Sequence, residues 1–244
     1  PVLTATVQDA AGNTVTSDNT TVVAFAKAAG AGTVSGTGND TAVAGVATKT
    51  VTGVLAGSVT MQATAAGLTT GTLGVFTVVH GAATQISLTG ATTDLTAGTN
   101  RVLTATIQDA AGNTVTSDSS TSVTFAKQSG TGTVTGTGSA TASSGVATKT
   151  VTGALAGTVT MEATAGGLAT GTLGVFNVVA GPAAQISLTG SVANLTSGAT
   201  RVLTATIQDA AGNTVTSDNS TVVTFAKQSG AGTVTGSGTD TAVA

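Results

Sequence analysis

The chain has no Cys, no Trp and no Tyr, and its only aromatic side chains are five Phe. Without Cys there can be no disulfide and no thiolate zinc site. A domain of about 100 residues buries enough surface to fold without disulfides, unlike one of about 40 residues, so the absence leaves the compartment open. Without Trp or Tyr, a carbohydrate-binding module would lack the rings that stack on sugars. Charge is scarce as well: 7% of residues are charged, against about 25% in an ordinary domain. The seven Lys and Arg stand singly and the net charge is −3. No basic stripe exists to neutralise phosphates, so no nucleic-acid partner is expected. No apolar run approaches the ~18 residues of a membrane-spanning helix, so no direct membrane span is expected in this segment. The first residue is Pro1, with no Met before it. The expectation is a processed chain or a piece of a longer array.

What is there in quantity is Thr, Gly, Ala and Val. Hydrophobic residues reach 40%, which is not the low-hydropathy, high-charge composition of disorder. The 34 Gly follow no triplet rule, so this is not collagen. The strongest signal is repetition. RVLTATIQDAAGNTVTSD occurs at 101–118 and again, letter for letter, at 201–218, and PVLTATVQDAAGNTVTSD opens the chain at 1–18. GVATKTVTG stands at 45–53 and 145–153, GTLGVF at 71–76 and 171–176, QISLTG at 85–90 and 185–190. A period of 100 residues fits one compact domain repeated, not the 20–50-residue unit of a solenoid.

Within each period the patterning is that of β-strands. Over 102–108 (VLTATIQ), Leu103, Ala105 and Ile107 share one face, and Thr104, Thr106 and Gln108 the other. That period of two marks a half-buried strand, and the branched Thr and Val suit a pleated surface. The runs 121–127, 145–151, 158–164 and 172–179 read the same way, with Gly-rich pieces such as 128–138 as punctuation. No stretch sustains a 3.6-residue period. About seven short strands per period, with turns every 8–12 residues, predict an all-β chain of tandem Ig-like β-sandwich domains. The boundaries expected are 1–81 (a domain lacking its first strand), 82–181 (a complete domain) and 182–244 (the N-terminal part of a third). The junctions are about three residues long, and Pro182 fixes φ in the second. Linkers this short predict domains joined into a semi-rigid rod.

The segment DAAGNTV at 109–115 reads as the turn between two strands. Asp109 can accept from a nearby backbone N–H, Gly112 can take positive φ, and Asn113 tolerates the left-handed region. These residues, followed by VTF at 123–125, GVATKTV at 145–151 and AGTVTMEATA at 156–165, resemble the bacterial Ig-like repeats of the invasin/intimin group (the Big-1 type). The resemblance covers the whole chain, repeat by repeat. It implies extracellular stalk domains of adhesins and other surface proteins, with binding carried by a distal domain. The chain departs from the group's pattern after Gly-Asn, where Thr14, Thr114 and Thr214 replace a common Pro.

Chemistry has few footholds. The single His, His80, faces Ala180 in the next copy, so it cannot serve machinery that every repeat shares. Ser and Thr abound with nothing to activate them, and no enzyme activity and no cofactor are expected. Calcium is the ion with a candidate site, at Asp109, Asn113 and Asp118, since it takes 6–8 oxygen ligands; two carboxylates would hold it weakly. The same residues also serve as plain turn-formers. A Lys–Asn isopeptide bond would need Lys127 or Lys149, Glu162 and Asn177, a set the first copy lacks at Gln62 and Thr77. Sequons for glycosylation stand at Asn19, Asn39, Asn194 and Asn219.

The function these features point to is a structural repeat region of a bacterial cell-surface or secreted protein. It would act as an extended stalk or adhesin spacer. The alternative is a self-assembling extracellular filament, sheath or surface-layer subunit, since uncharged, Thr-rich sheet edges invite pairing with another chain. The partners expected are other copies of the chain, or other surface proteins and glycans.

Overall fold

The computed structural model describes residues 1–243. Among them there is no helix, and so none long and apolar enough to cross a membrane. The chain is all-β. Its contacts cluster into two compact units. The first holds Pro1–Gln85 together with Ile107–Ser119; the second holds Ile86–Thr106 and the residues from Ser120 on.

In the first unit, strand Val2–Thr6 pairs antiparallel with Val46–Thr50, Leu3 lying opposite Lys49 and Ala5 opposite Ala47. A second sheet centres on Val22–Ala29, which pairs with Gly38–Thr41 on one side and Gly57–Thr64 on the other. Leu3, Ala47 and Val51 from the first sheet pack on Val23, Phe25, Val59 and Met61 from the second. Every one of these alternates with a polar or small outward neighbour. Period-two alternation on two facing sheets is what makes a sandwich core.

The middle repeat has two sheets. One runs in the order Gln85–Thr89, Asn100–Gln108, Val146–Gly153, Val134–Thr135. The other runs Leu95–Thr96, Phe176–Val179, Gly157–Thr164, Ser122–Ser129, Gly138–Thr141. Leu95–Thr96 lies parallel to Val178–Val179, while Asn100–Gln108 on Val146–Gly153, and Gly157–Thr164 on Ser122–Ser129 and on Phe176–Val179, pair antiparallel. In Ig domains the first, second and fifth strands share one sheet and the third, sixth and seventh the other; Gln85–Thr89, Asn100–Gln108 and Val146–Gly153 on one side, and Ser122–Ser129, Gly157–Thr164 and Phe176–Val179 on the other, follow that division. Leu103, Ala105, Ile107, Val123, Phe125, Val159, Met161 and Ala163 are all buried, the faces that alternation assigns inward. Beyond the middle repeat, Gln185–Thr189 pairs with Thr204–Gln208, and Val222–Phe225 with Gly238–Thr241.

One expected strand is broken. The run 172–179 divides into Gly171–Thr172 and Phe176–Val179, both paired to Gly157–Thr164. Thr172 lies opposite Glu162, and Phe176 lies opposite Val159. Three residues on one side therefore face two on the other, which is a β-bulge. The extra residue restores the parity that sends both Leu173 and Phe176 inward. The Gly-rich piece 128–138 contains a short strand, Val134–Thr135, against Val146–Gly153, and a second, Gly138–Thr141, follows it against Ser122–Ser129.

Candidate functional site

The turn at 109–113 is where the side chains do more than form a local bend. Its backbone closes a hairpin: Gly112 N–H donates to Asp109 C=O (3.1 Å) and Asp109 N–H to Asn113 C=O (2.9 Å). Gly112 sits at φ +85°, a region that costs a β-carbon-bearing residue strain. Asp109 Oδ1 accepts from the N–H groups of Ala111 and Asn113, each at 2.9 Å. This is the Asx-type capping that makes Asp a turn residue.

The other half of each side chain reaches away from the turn. Asp109 Oδ2 accepts from the N–H of Gly81 (2.7 Å) and from Asn113 Nδ2 (2.9 Å). The Asn113 amide also donates to the C=O of Val54 (2.8 Å), and its Oδ1 accepts from the N–H of Ala56 (2.8 Å). Asn113 thus spends two donors and one acceptor on partners up to 59 residues away. Gln85 Nε2 adds a bond to Asp109 C=O (3.2 Å). The loop it grips is itself tied down, since Val54 N–H and Leu55 N–H donate to Thr33 C=O and Oγ1. All of these residues belong to the first unit, and Ile107–Ser119 clusters with residues 1–85 for this reason.

The second unit repeats the clasp. Asn213 donates to Ala154 C=O (2.7 Å) and accepts from Ala156 N–H (2.7 Å). Gly181 N–H donates to Asp209 Oδ2 (2.8 Å), which also accepts from Asn213 Nδ2 (2.8 Å). Asp109, Asn113, Asp209 and Asn213 are all buried. Their first copy, Asp9 and Asn13, forms the same turn with the same capping bonds but is exposed.

These bonds set the electrostatics. The Asn113 amide, then the Gly81 N–H, hold the Asp109 carboxyl down to about 2. Burial works against ionisation of Asp209, yet the Asn213 amide and the Gly181 N–H outweigh it and bring its pKa to about 2. Both groups are carboxylates at any physiological pH. Both Asp109 oxygens are occupied by N–H donors, and the third residue of the calcium candidate, Asp118, donates its own N–H to Val115 C=O. In the sister copies Asp18 and Asp218 cap the N–H groups two and three residues on. No three acidic or His side chains converge among the described residues.

The remaining candidates are dispersed. His80 Nδ1 lies 2.9 Å from the Gly81 carbonyl oxygen. Lys127 donates to Gly132 C=O, Lys149 to Ser139 C=O and Asn177 to Asp94 Oδ1, while Glu162 accepts from Gln128; none of these bonds joins a Lys to Asn177. The sequon residues Asn19, Asn39, Asn194 and Asn219 are exposed, and Asn19 is also structural, accepting from Ala44 N–H and donating to Ser17 C=O. Gly81, Gly181 and the loops 54–56 and 154–156 are the clasp partners that sequence reading passed over. A signal for them exists: Gly81 and Gly181 match while their neighbours differ (His80 against Ala180, Ala82 against Pro182).

No protein-family model matches the chain, and no curated protein does. Among solved structures it is similar to the D0-D1 domain of intimin, with 20% identity and a TM-score of 0.31 over 72% of this chain and 88% of that one. It is similar to FdeC, an Escherichia coli adhesin, at 25% identity and a TM-score of 0.41 over 92% of this chain and 74% of that one. It is also similar to a beta-glycosidase from Bacteroides vulgatus, at 12% identity and a TM-score of 0.36 over 72% of this chain. The chain spans only 24% of that glycosidase.

Proposed function

We propose that this chain is a structural tandem-repeat region of a bacterial cell-surface or secreted protein, an extended spacer of Ig-like domains rather than an enzyme. The domains proposed are 1–81, 82–181 and 182–244. The observation that carries the reading is the clasp: Asp109 and Asn113 bind Gly81 and the loop Val54–Ala56, and Asp209 and Asn213 bind Gly181 and Ala154–Ala156. The turn of one proposed domain is thereby fastened to the end of the domain before it, with a buried Asn whose hydrogen-bonding capacity is used on fixed backbone. A spacer needs such joints, because a short linker limits bending only when something holds the two ends in register. The resemblance of the repeats to the invasin/intimin group, the scarcity of charge and the Thr-rich faces support an extracellular place.

Negative-stain electron microscopy and small-angle scattering of the 244-residue chain test the reading. Thin rods of uniform length are expected, losing stiffness in the double variant Asn113→Ala, Asn213→Ala. Particles that bend freely in the unaltered chain would overturn it.

A further inference from the structure

The first and middle repeats each contain, well inside the repeat, a hairpin whose arms part into different sheets. In the first, Gly38–Thr41 ends the sheet of Val22–Ala29. The chain then turns through a pair of bonds between Val43 and Val46, and Val46–Thr50 joins Val2–Thr6. In the middle repeat Gly138–Thr141 ends the sheet of Ser122–Ser129, Ser143 and Val146 make the turn, and Val146–Gly153 joins Asn100–Gln108. Among the described residues no strand covers the outer side of 38–41 or 138–141, nor that of 46–50 or 146–150. In an antiparallel ladder alternate residues turn N–H and C=O away from their partner, and on an uncovered side such groups template another strand.

Side chains of the same hairpin meet these groups. Lys149 stands between Ala147 and Val151, both buried, so strand alternation aims its stem inward between the sheets. Its ammonium donates across the split to Ser139 C=O (3.2 Å). Lys49, between the buried Ala47 and Val51, donates in the same way to Asn39 C=O (3.0 Å). The acceptor is backbone in both copies, so the contact survives the change from Asn39 to Ser139. The first repeat adds a second cap. Asp40 lies opposite the buried Val23, and its Oδ2 accepts from Thr48 N–H (2.8 Å). In the middle repeat Ala140 takes that place, opposite Val123, and a methyl group cannot accept from Thr148. A strand arriving at either edge would have to displace the lysine from its carbonyl and leave an ammonium between two sheets without that acceptor, which is costly. An inward-pointing charge is one of the means by which sheet edges are kept from pairing. We propose that Lys49 and Lys149, with Asp40 in the first repeat, guard these edges against strand addition by a second copy of the chain. The need is plain in a chain with 7% charged residues and near-identical β-rich repeats, where every open edge meets a matching strand. The first repeat is guarded twice and the middle repeat once. The proposal does not rest on the spacer reading.

Sedimentation velocity of the 244-residue chain and its variants tests it, with circular dichroism reporting that each is folded. Lys149→Met keeps the length of the side chain and removes the ammonium; it is expected to gain mass with concentration beyond the unaltered chain. Lys49→Met is expected to gain less, since Asp40 still caps Thr48. Ala140→Asp added to Lys149→Met supplies the second cap and is expected to reverse most of the gain. Lys227→Met makes the same change of charge at an exposed site and is expected to behave as the unaltered chain. If Lys149→Met loses its fold, Lys149→Gln carries the same expectation. A folded Lys149 variant that associates no more than the unaltered chain overturns the proposal. Equal association in Lys227→Met overturns it too, by making net charge the cause. Hydrogen exchange on the unaltered chain reads the caps without a substitution. The Thr48 amide is expected to exchange about tenfold more slowly than the Thr148 amide, and equal rates overturn the part given to Asp40.

Discussion

The first and middle repeats carry almost the same residues and do different things with them. Asn13 and Asn113 sit in the same turn on the same Asp, yet Asn13 is exposed and Asn113 is buried between a carbonyl and an N–H from the loop 54–56. Leu73 and Leu173 end the same GTL sequence, and one is largely exposed while the other lies under a strand. Asn113 is completed by a loop of the repeat before it, and Leu173 by the strand Gln85–Thr89 of its own repeat.

The comparison breaks most sharply at Leu88. Leu88→Ala removes a buried side chain and should cost about 2–5 kcal/mol; Leu188→Ala, at an exposed copy of the same position, should stay within about 0.5 kcal/mol. Chemical denaturation at a concentration low enough to keep the chain monomeric reads both. A similar loss in the two variants would mean that the strands are equivalent after all.

The turn offers the next contrast. Asn113→Ala orphans Val54 C=O and Ala56 N–H and should cost about 1–3 kcal/mol, whereas Asn13→Ala should cost less, having only the turn to lose. Asn113→Asp should be worse than Asn113→Ala, because it sets a carboxylate oxygen against Val54 C=O and the Asp109 carboxylate. Hydrogen exchange at the Ala56 amide reports the break directly: exchange is expected to speed up in both Asn113 variants and to stay unchanged in Asn13→Ala. Gly171→Ala, whose β-carbon would meet Ile86 O at 2.7 Å, should cost about 1–3 kcal/mol, and Gly71→Ala, with only Ala63 O at 3.9 Å, close to none.

Acid gives a smaller effect with a defined window. Asp109 and Asp209 have folded pKa values of about 2, below the ordinary Asp value of about 3.9. The unfolded chain therefore binds protons first as pH falls. The stabilisation is complete above about pH 4 and is lost as the pH drops through about 2. Thermal scans across that range should show the unaltered chain losing its clasps, and the double variant Asp109→Asn, Asp209→Asn should show a flatter acid limb. Calcium should do least. With both Asp109 oxygens engaged by N–H donors, neither added calcium nor a chelator should shift the melting temperature, and a rise with calcium would revive the site at Asp109, Asn113 and Asp118.

Much of this architecture was legible in advance. Leu103, Ala105 and Ile107 announce an inward face by alternation alone, and Asp109, Gly112 and Asn113 announce a turn by their chemistry. The bulge at Leu173–Val175 was not legible, because a single extra residue does not disturb a run of β-forming side chains. The short strand Val134–Thr135 was hidden by the glycines around it. The clasp was missed because its partners are backbone groups. A carbonyl at Val54 or an N–H at Ala56 leaves no mark on residue identity.

The sequence alone settles the period, the all-β character and the local turns, since each depends on neighbours within a few residues. It also makes every copy of Asp-x-x-Gly-Asn equally able to reach outward. Only the tertiary structure shows what they reach. A side-chain amide acquires its role from the donors and acceptors brought to it, and for Asn113 and Asn213 those lie 57 and 59 residues earlier in the chain.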